Sequence, residues 1–293
     1  MHDLHINWRG PLASCNYDCS YCPFAKRQSS RAELHADQQA LARFVAWCAD
    51  AEAHGRQLSL RFTPWGEALI RPYYAAALVE LSQLACVRAL AIQTNLSSRL
   101  ELLEGAEREA LALWTTFHPS ETSLERFVER CAQLDAMGIQ YSVGVVGLRE
   151  HFELIEQLRA ALRPEVYLWI NAYKSAGPGY YAPGERARMS AIDPLFELNA
   201  VRHPSEGQAC GAGREALFVR GSGEVSRCHF VGEVLGNLYE DPLDSLLGDA
   251  PCPVRSCGCF IGYVHLDKLG LRARFGDGLA ARRLPLVEPL RSR

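Results

Sequence analysis

The chain has 293 residues, of which 48% are hydrophobic, and a formal net charge of −3 at pH 7. This length and composition allow one large barrel or two modest domains with a full hydrophobic core. They exclude a general electrostatic attraction to nucleic acid, and no apolar run approaches the roughly 18–20 residues of a membrane-spanning helix. The N-terminal run MHDLHINWRG lacks the basic start and apolar stretch of a signal peptide. We therefore expect a cytoplasmic protein.

Strand-like and helix-like segments alternate over the first two-thirds of the chain. The strand-like runs are HINW, LSLRF, ALAIQT, LALWTTF, YSVGVV and VYLWINAY. The apolar spacing between them predicts helices that begin at an Asp37 N-cap, after Pro72, after Ser98, after Ser123 and near Phe152. Such alternation predicts a parallel sheet, and six units are too few for a closed eight-stranded barrel. An open partial barrel and a doubly wound sheet both fit this α/β pattern.

The last third of the chain differs in composition. Residues 175–190 are rich in glycine and proline and are predicted to form a loop or linker. A smaller cysteine-bearing unit follows, and the basic stretch beyond residue 266 is predicted to be a solvated, partly frayed terminus. We accordingly divide the chain into residues 1–195, 196–265 and 266–293.

Eleven cysteines are distributed unevenly along the chain. The cytosol keeps thiols reduced, so clustered cysteines there indicate metal binding or redox chemistry more often than disulfides. Three isolated cysteines, Cys48, Cys86 and Cys131, are predicted to be small buried hydrophobic residues. The other eight form two groups, which are Cys15, Cys19 and Cys22, and Cys210, Cys228, Cys252, Cys257 and Cys259.

The first cysteine group has the spacing C-x3-C-x2-C and directly follows the first predicted strand. Three thiolates on one short loop can each bind a different iron of a [4Fe–4S] cubane. The fourth iron then lacks a protein ligand, and an open position is what chemistry at a metal requires. A zinc site is the main alternative, but its fourth ligand would have to come from a distant part of the chain.

Several polar residues directly follow predicted strands, where parallel α/β folds bind their ligands. Glu67 offers a carboxylate for a charge-assisted hydrogen bond to an ammonium group. Asn95 is predicted to contact a ligand or to form a turn. His118 is a candidate for substrate binding or proton transfer, with a structural hydrogen-bonded histidine as the alternative. Tyr173 and Lys174 follow the sixth predicted strand and are expected to face the same ligand-binding cavity at the ends of the strands. They are further catalytic candidates.

The cysteine loop, with Tyr21 before its third cysteine, resembles the signature of the radical S-adenosylmethionine (SAM) superfamily, and the resemblance extends over roughly residues 3–175. It implies a partial (β/α)6 barrel and a [4Fe–4S] cluster on Cys15, Cys19 and Cys22 that binds SAM at its open iron. Tyr21 would then pack near the adenine.

The superfamily usually has two glycines and a glutamate after the second strand, in contact with the SAM ammonium. This chain is similar in keeping Gly66 and Glu67, but Trp65 replaces the first glycine. The backbone approach to SAM is therefore expected to differ. Asn95 follows the third predicted strand, and this position is similar to one that lies near the SAM and substrate cavity in the superfamily.

The second cysteine group lies around a predicted hairpin. The spacing of Cys210, Gly223 and Cys228, together with the run LGNL, resembles the twitch or SPASM extensions of some radical SAM enzymes. The resemblance implies one auxiliary iron–sulfur cluster in a twitch-like region. Its predicted ligands are Cys210, Cys228, Cys257 and Cys259, with Cys252 as a substitute for Cys257 or Cys259. Zinc is the alternative metal, since four thiolates also suit it.

These resemblances imply an enzyme that reductively cleaves SAM and abstracts hydrogen from a peptide or a small metabolite. An electron donor such as flavodoxin or ferredoxin would be its partner. Longer runs, including WRGPLASCNYDCSYCPFAKR, are similar to a bacterial radical SAM group of unassigned substrate. The alternatives are an activase of a glycyl-radical enzyme, a non-enzymatic iron–sulfur electron carrier and a zinc-stabilised scaffold.

Overall fold

A computed structural model describes residues 3–24, 27–53 and 57–285 of the chain. Within these ranges, nine of the eleven strands form one sheet, and the other two form a small separate sheet. The strands are β1 (Leu4–Arg9), β2 (Leu58–Phe62), β3 (Val87–Thr94), β4 (Leu111–Phe117), β5 (Gln140–Gly147), β6 (Leu168–Ala172), β7 (His203–Pro204), β8 (Ala216–Arg220), β9 (Glu224–Ser226), β10 (Gly236–Asn237) and β11 (Ser256–Cys257).

Helices connect most of these strands. They are α1 (Arg31–Ala53), α2 (Pro72–Ser82), α3 (Leu124–Met137), α4 (Phe152–Ala161), α5 (Pro183–Ile192), α6 (Phe196–Asn199), α7 (Phe260–Tyr263) and α8 (Leu271–Phe275). Short 3₁₀ segments span Leu100–Leu103, Arg149–His151, Lys174–Ala176, Leu243–Leu246, Asp267–Leu269 and Gly276–Gly278. None of the helices in the described ranges combines the length and apolar composition needed to cross a bilayer.

Strands β1 to β6 lie side by side in chain order, and all five pairings between them are parallel. Arg61 on β2 and Ser142 on β5 donate hydrogen bonds to the adjacent carbonyls of Ala280 and Ala281, which indicates that the sheet curves around this segment. In a flat sheet these two strands would be about 14 Å apart. The six predicted strands and the α/β partial barrel are confirmed.

The hairpin of the cysteine-bearing region extends the same sheet on its other side. Strand β8 pairs with β1 in parallel, and β9 and β10 follow in antiparallel order. The predicted hairpin between Cys210 and Cys228 is thereby confirmed as β8 and β9. The two-stranded sheet of β7 and β11 carries Cys257.

The apolar core lies between the outer face of the sheet and the helices. Side chains of alternate strand residues, such as Trp8 and Phe62, pack there against Phe44 of α1. This alternation follows from the two-residue period of a strand, which sends successive side chains to opposite faces. The isolated cysteines Cys48, Cys86 and Cys131 are buried in this core, as predicted.

The prediction that Asp37 caps the first helix is wrong, because α1 begins at Arg31. Asp37 is instead completely buried within the helix. Its carboxylate accepts hydrogen bonds from the Leu12 backbone amide (3.0 Å) and from the Tyr73 and Tyr74 hydroxyls (2.9 and 3.2 Å). The residue type suited to an N-cap thus anchors the segment that leads into the cysteine loop.

Two other predicted segments also differ from the structure. The helix expected after Ser98 is only a 3₁₀ turn over Leu100–Leu103. The predicted loop 175–190 contains the start of helix α5, with proline in its first turn, where a missing amide hydrogen costs nothing.

The basic stretch beyond residue 266 is packed rather than solvated as far as the structure describes it. Leu271, Phe275 and Leu279 are buried, and Ala280 and Ala281 fill the narrow end of the barrel against Ala91 and Ala112. The small side chains on β3 and β4 leave room there for the returning chain. The remainder of the predicted tail, residues 286–293, lies outside the described residues.

Candidate active site

A cavity of about 450 Å³ opens at the carboxyl ends of the barrel strands. Its size is within the usual range for ligand sites. All seven predicted cofactor-binding and catalytic residues line it, together with the first cysteine group. These residues are Cys15, Cys19, Tyr21, Cys22, Gly66, Glu67, Asn95, His118, Tyr173 and Lys174.

The cysteine loop is held close to the end of β2 by Gly66. A Cβ atom at Gly66 would lie 1.8 Å from the carbonyl oxygen of Ser14, so no other residue fits there without moving backbone. Burial raises the pKa of the Cys15 and Cys19 thiols. In the described ranges, no three His, Cys, Asp or Glu side chains are close enough together to hold one metal ion. A cubane does not need such a group, because its cysteines each bind a different iron.

Glu67 is buried at the base of the cavity and joins the ends of β2 and β3. It accepts hydrogen bonds from the backbone amides of Asn95 (2.5 Å) and Leu69 (3.0 Å) and from the Thr94 hydroxyl (2.9 Å). Burial raises its pKa to about 7, although these bonds act in the opposite direction. A carboxylate has about four acceptor positions, so one is left for a donor in the cavity.

Asn95 connects this network to the cysteine loop. Its amide nitrogen donates to the side-chain oxygen of Asn16 (3.1 Å), and its own side-chain oxygen accepts from the Ser97 amide (3.0 Å). Asn95 thus forms a turn and also lines the cavity, and its contact with a ligand stays a prediction.

His118 lies beside the cysteine loop, with its Nδ1 atom 2.9 Å from the Tyr21 hydroxyl and 3.3 Å from the Cys19 sulfur. The His118 and Tyr21 rings are nearly parallel, with centroids 6.0 Å apart. Burial lowers the pKa of His118 to about 4 and raises that of Tyr21. Both groups are therefore neutral, and the Tyr21 hydroxyl and His118 Nδ1 share one hydrogen bond whose direction is set by the imidazole tautomer.

Trp65, which replaces the expected glycine, forms an apolar wall of the cavity. Its ring is 4.4 Å from that of Phe24 by centroids, and the Arg9 guanidinium lies 4.1 Å from its centroid. Arg9 and the Trp65 ring also contact His229, the residue after Cys228. A large side chain at this position thus joins the cysteine loop to the second cysteine region, which a glycine could not do.

The far side of the cavity is formed after β6. A hydrogen bond from the Tyr173 amide to the Tyr181 hydroxyl (2.7 Å) fixes the backbone at Tyr173. The Lys174 ammonium donates to the backbone carbonyl of Asn199. Arg202 and Cys259 line the cavity beside them. Burial lowers the pKa of Lys174 to about 8, and the positive charges of Arg282 and Arg202 act in the same direction.

Four cysteines of the second group line a separate small cavity. They are Cys210, Cys228, Cys252 and Cys257, and apolar side chains such as Phe230 and Leu266 surround them. Burial raises the pKa of Cys228 and of Cys257 to about 12, and neighbouring cysteines contribute to both shifts. Cys259 differs from these four, because it is exposed and lines the large cavity with the first group.

The fold of the chain is that of radical SAM enzymes. One solved structure with this fold is anSMEcpe with bound AdoMet (SAM), at TM-score 0.55 and 14% identity over 83% of this chain and 80% of that chain. Another is Streptococcus suis SuiB bound to precursor peptide SuiA, at TM-score 0.53 and 15% identity over 83% and 64%. No family model and no curated protein matches the sequence.

Sequence reasoning missed Arg202 and Trp169 as cavity-lining residues. Trp169 has a signal that could have been used, because it alternates with the outward residues Leu168 and Ile170 on the sixth strand. Arg202 has none, since it lies between α6 and β7, away from any end of a barrel strand.

Proposed function

We propose that this protein is a radical SAM enzyme whose [4Fe–4S] cluster is bound by Cys15, Cys19 and Cys22. The observation that carries the proposal is the convergence of these three thiols and Glu67 on one cavity at the carboxyl ends of parallel strands. The donor set suits a cubane, because three cysteines leave one iron free for a substrate. The shared fold with SAM-bound anSMEcpe supports it.

When bound, such a cluster supplies an electron that cleaves SAM to methionine and a 5′-deoxyadenosyl radical, which abstracts hydrogen from the substrate. Glu67 would accept a hydrogen bond from the SAM ammonium at its remaining acceptor position. Tyr21 would pack near the adenine, in an orientation fixed by its hydrogen bond to His118. His118 would act as a positioning residue, because its Nδ1 atom is hydrogen-bonded to the Tyr21 hydroxyl and lies beside the Cys19 sulfur.

The cavity walls would exclude water from the reaction. Trp65, Phe24 and Trp169 present large apolar surfaces to the same space. Trp169 is fixed in turn by a hydrogen bond from its indole nitrogen to the Ser142 hydroxyl (3.3 Å). Excluding water protects a reactive radical from side reactions.

We further propose that Cys210, Cys228, Cys252 and Cys257 bind an auxiliary cluster. Their shared cavity supports this ligand set over one that includes Cys259. Zinc is the alternative metal, since four thiolates suit it chemically, but no three such side chains in the described ranges are close enough together to hold a single ion.

The substrate would be a peptide or a small metabolite, and a flavodoxin or ferredoxin would supply electrons in the cytoplasm. Solved structures of two proteins with this fold support a peptide: SuiB is bound to the precursor peptide SuiA, and anSMEcpe is bound to AdoMet and a peptide.

The test is anaerobic reconstitution of the full chain with iron and sulfide, followed by SAM and dithionite. Wild-type protein is expected to release 5′-deoxyadenosine, and Cys19→Ala is expected to release none. Cys131→Ala is the matched control, because Cys131 is a core cysteine that does not line the cavity. Cleavage by Cys19→Ala at the wild-type rate would refute the cluster assignment.

Iron content tests the auxiliary site separately. Two cubanes predict about eight irons per chain, and one cubane predicts about four. Cys252→Ala is expected to lose the second cluster, whereas Cys259→Ala is expected to retain it. The opposite result would restore Cys259 to the ligand set, and a wild-type chain with about four irons and one zinc would establish the zinc alternative.

A further inference from the structure

The far side of the large cavity carries a pair of basic side chains, Lys174 and Arg202, which we name the basic pair. Lys174 directly follows β6, and Arg202 lies between α6 and β7. The cysteine loop instead contacts the ends of β3 and β4, through the Asn16–Asn95 and Tyr21–His118 hydrogen bonds. The basic pair and the cysteine loop therefore occupy different sides of one space.

The positive charge of the basic pair is not neutralised within the described residues. Among the described residues that line the cavity, the one carboxylate is Glu67. Glu67 is buried and already accepts three hydrogen bonds. Lys174 donates to an uncharged carbonyl, and two of its three N–H donors remain for a ligand.

A third cation, Arg282, lies nearby, and its charge is offset by the buried carboxylate of Asp193, which accepts a hydrogen bond from the Asn199 side-chain nitrogen (2.7 Å). Arg282 is buried behind Lys174 and donates to the Asn199 side-chain oxygen (2.7 Å), while the Asn199 carbonyl accepts from Lys174. Asp193 does not line the cavity, so a counter-ion for the basic pair on this side of the cavity would have to be a bound anion.

The shape of the site also favours an anion with two or more oxygens. Arg202 lies directly over Gly258, where an added Cβ would be 3.0 Å from its Nη1 atom and 3.1 Å from its Cγ atom. The absence of a side chain at Gly258 therefore leaves room for the Arg202 side chain at this position. A planar guanidinium matches the oxygens of a carboxylate or a phosphate in a bidentate manner.

We propose that the substrate binds through an anionic group, a carboxylate or a phosphate, held between Lys174 and Arg202. This inference rests on the proposed function and names its substrate class. The rest of the substrate would extend past Asn171 and Trp169 toward the cysteine loop. A substrate held at its charged end would present a C–H bond of its uncharged part to the radical.

The experiment is a tryptophan fluorescence titration of the full chain, since Trp65 and Trp169 line the cavity. Inorganic phosphate and acetate are the probes, at constant ionic strength in separate arms. We expect saturable binding of at least one probe, and the arm that saturates identifies the anionic group as phosphate or carboxylate. No saturable change with either probe would overturn the proposal.

Three variants and a control make the test specific. Lys174→Met and Arg202→Gln are each expected to weaken binding about tenfold, which corresponds to about 1.4 kcal/mol. Gly258→Ala retains both charges but displaces Arg202, so it is expected to weaken binding as well. Arg255→Gln changes an exposed arginine on the chain just before β11 and is expected to bind like the wild type. Equal affinities across the set would refute the inference.

Two further measurements separate the possible failures. Thermal unfolding midpoints that match the wild type show that a variant is folded. Release of 5′-deoxyadenosine by the wild type tests the proposed function independently. Anion binding without SAM cleavage would support the anion site and refute the proposed enzymatic function. SAM cleavage without anion binding would refute the anion site alone.

Discussion

Replacement of Gly66 by alanine is the sharpest test of how the cysteine loop is placed. The added Cβ would lie 1.8 Å from the Ser14 carbonyl oxygen and 2.4 Å from its carbonyl carbon, where real contacts are not shorter than 3.0 Å. The Ser14 backbone would therefore move by at least the difference of 1.2 Å between 3.0 and 1.8 Å. Backbone cannot rotate away as a side chain can, so Cys15 must move with it.

We expect Gly66→Ala to lose part of its iron and to cleave SAM about 100-fold more slowly, because a 1 Å misplacement can cost that factor. The assays are iron content after anaerobic reconstitution and the rate of 5′-deoxyadenosine release. Gly184→Ala is the matched control, since nothing lies within 4 Å of an added Cβ there. Full iron content and wild-type cleavage in Gly66→Ala would refute the argument from close backbone contact.

Three other predictions concern stability and can be measured by denaturant unfolding of the apoprotein. Phe275→Ala is expected to cost about 3–5 kcal/mol because its ring is buried, whereas Arg274→Ala on the same helix is exposed and should cost less than about 0.5 kcal/mol; equal effects would contradict a packed C-terminal segment. Asp37→Ala is expected to cost about 2–4 kcal/mol, since it leaves three donors unpaired, and a cost below about 0.5 kcal/mol would contradict this. Burial lowers the pKa of His5 to about 4, so its contribution to stability is full above pH 6.5 and is lost as the pH falls toward 4. His5→Gln should therefore reduce the loss of unfolding free energy between pH 6.5 and 4 by roughly 3 kcal/mol. An unchanged dependence of the unfolding free energy on pH would refute this.

The barrel could be predicted from the sequence because its signals are local. Each of the six strands is an apolar run bounded by turn residues, and the helices between them keep a regular apolar spacing. The carboxyl-end rule then placed Glu67, Asn95, His118 and Lys174 in one cavity, since all parallel strands end at the same edge. Their convergence needed no knowledge of side-chain contacts.

The errors lie where long-range packing overrides a local signal. Asp37 has the chemistry of an N-cap, but the tyrosines of α2 and the Leu12 amide supply its partners, and these are distant in sequence. The basic composition after residue 266 suggested a solvated end, yet Ala280 and Ala281 meet alanines on β3 and β4 inside the barrel. The apolar spacing of so short a segment does not show which distant strands it packs against.

Cys259 shows a similar limit at the level of the site. Its spacing from Cys257 made it a natural member of the second group, and the preference for it over Cys252 stays a prediction that iron content will decide. Gly258 separates these two cysteines, and their side chains line different cavities. Spacing alone does not specify the direction in which neighbouring thiols point.

The ladder between β1 and β8 has a mechanical consequence. Five consecutive residue pairs, from His5–Ala216 to Arg9–Arg220, join the strand that leads to the first cysteine loop to the hairpin that leads to Cys228. Neither region can swing away from the other without breaking main-chain bonds in the middle of the sheet. Any conformational change that admits a substrate must therefore come from the loops and not from these paired strands.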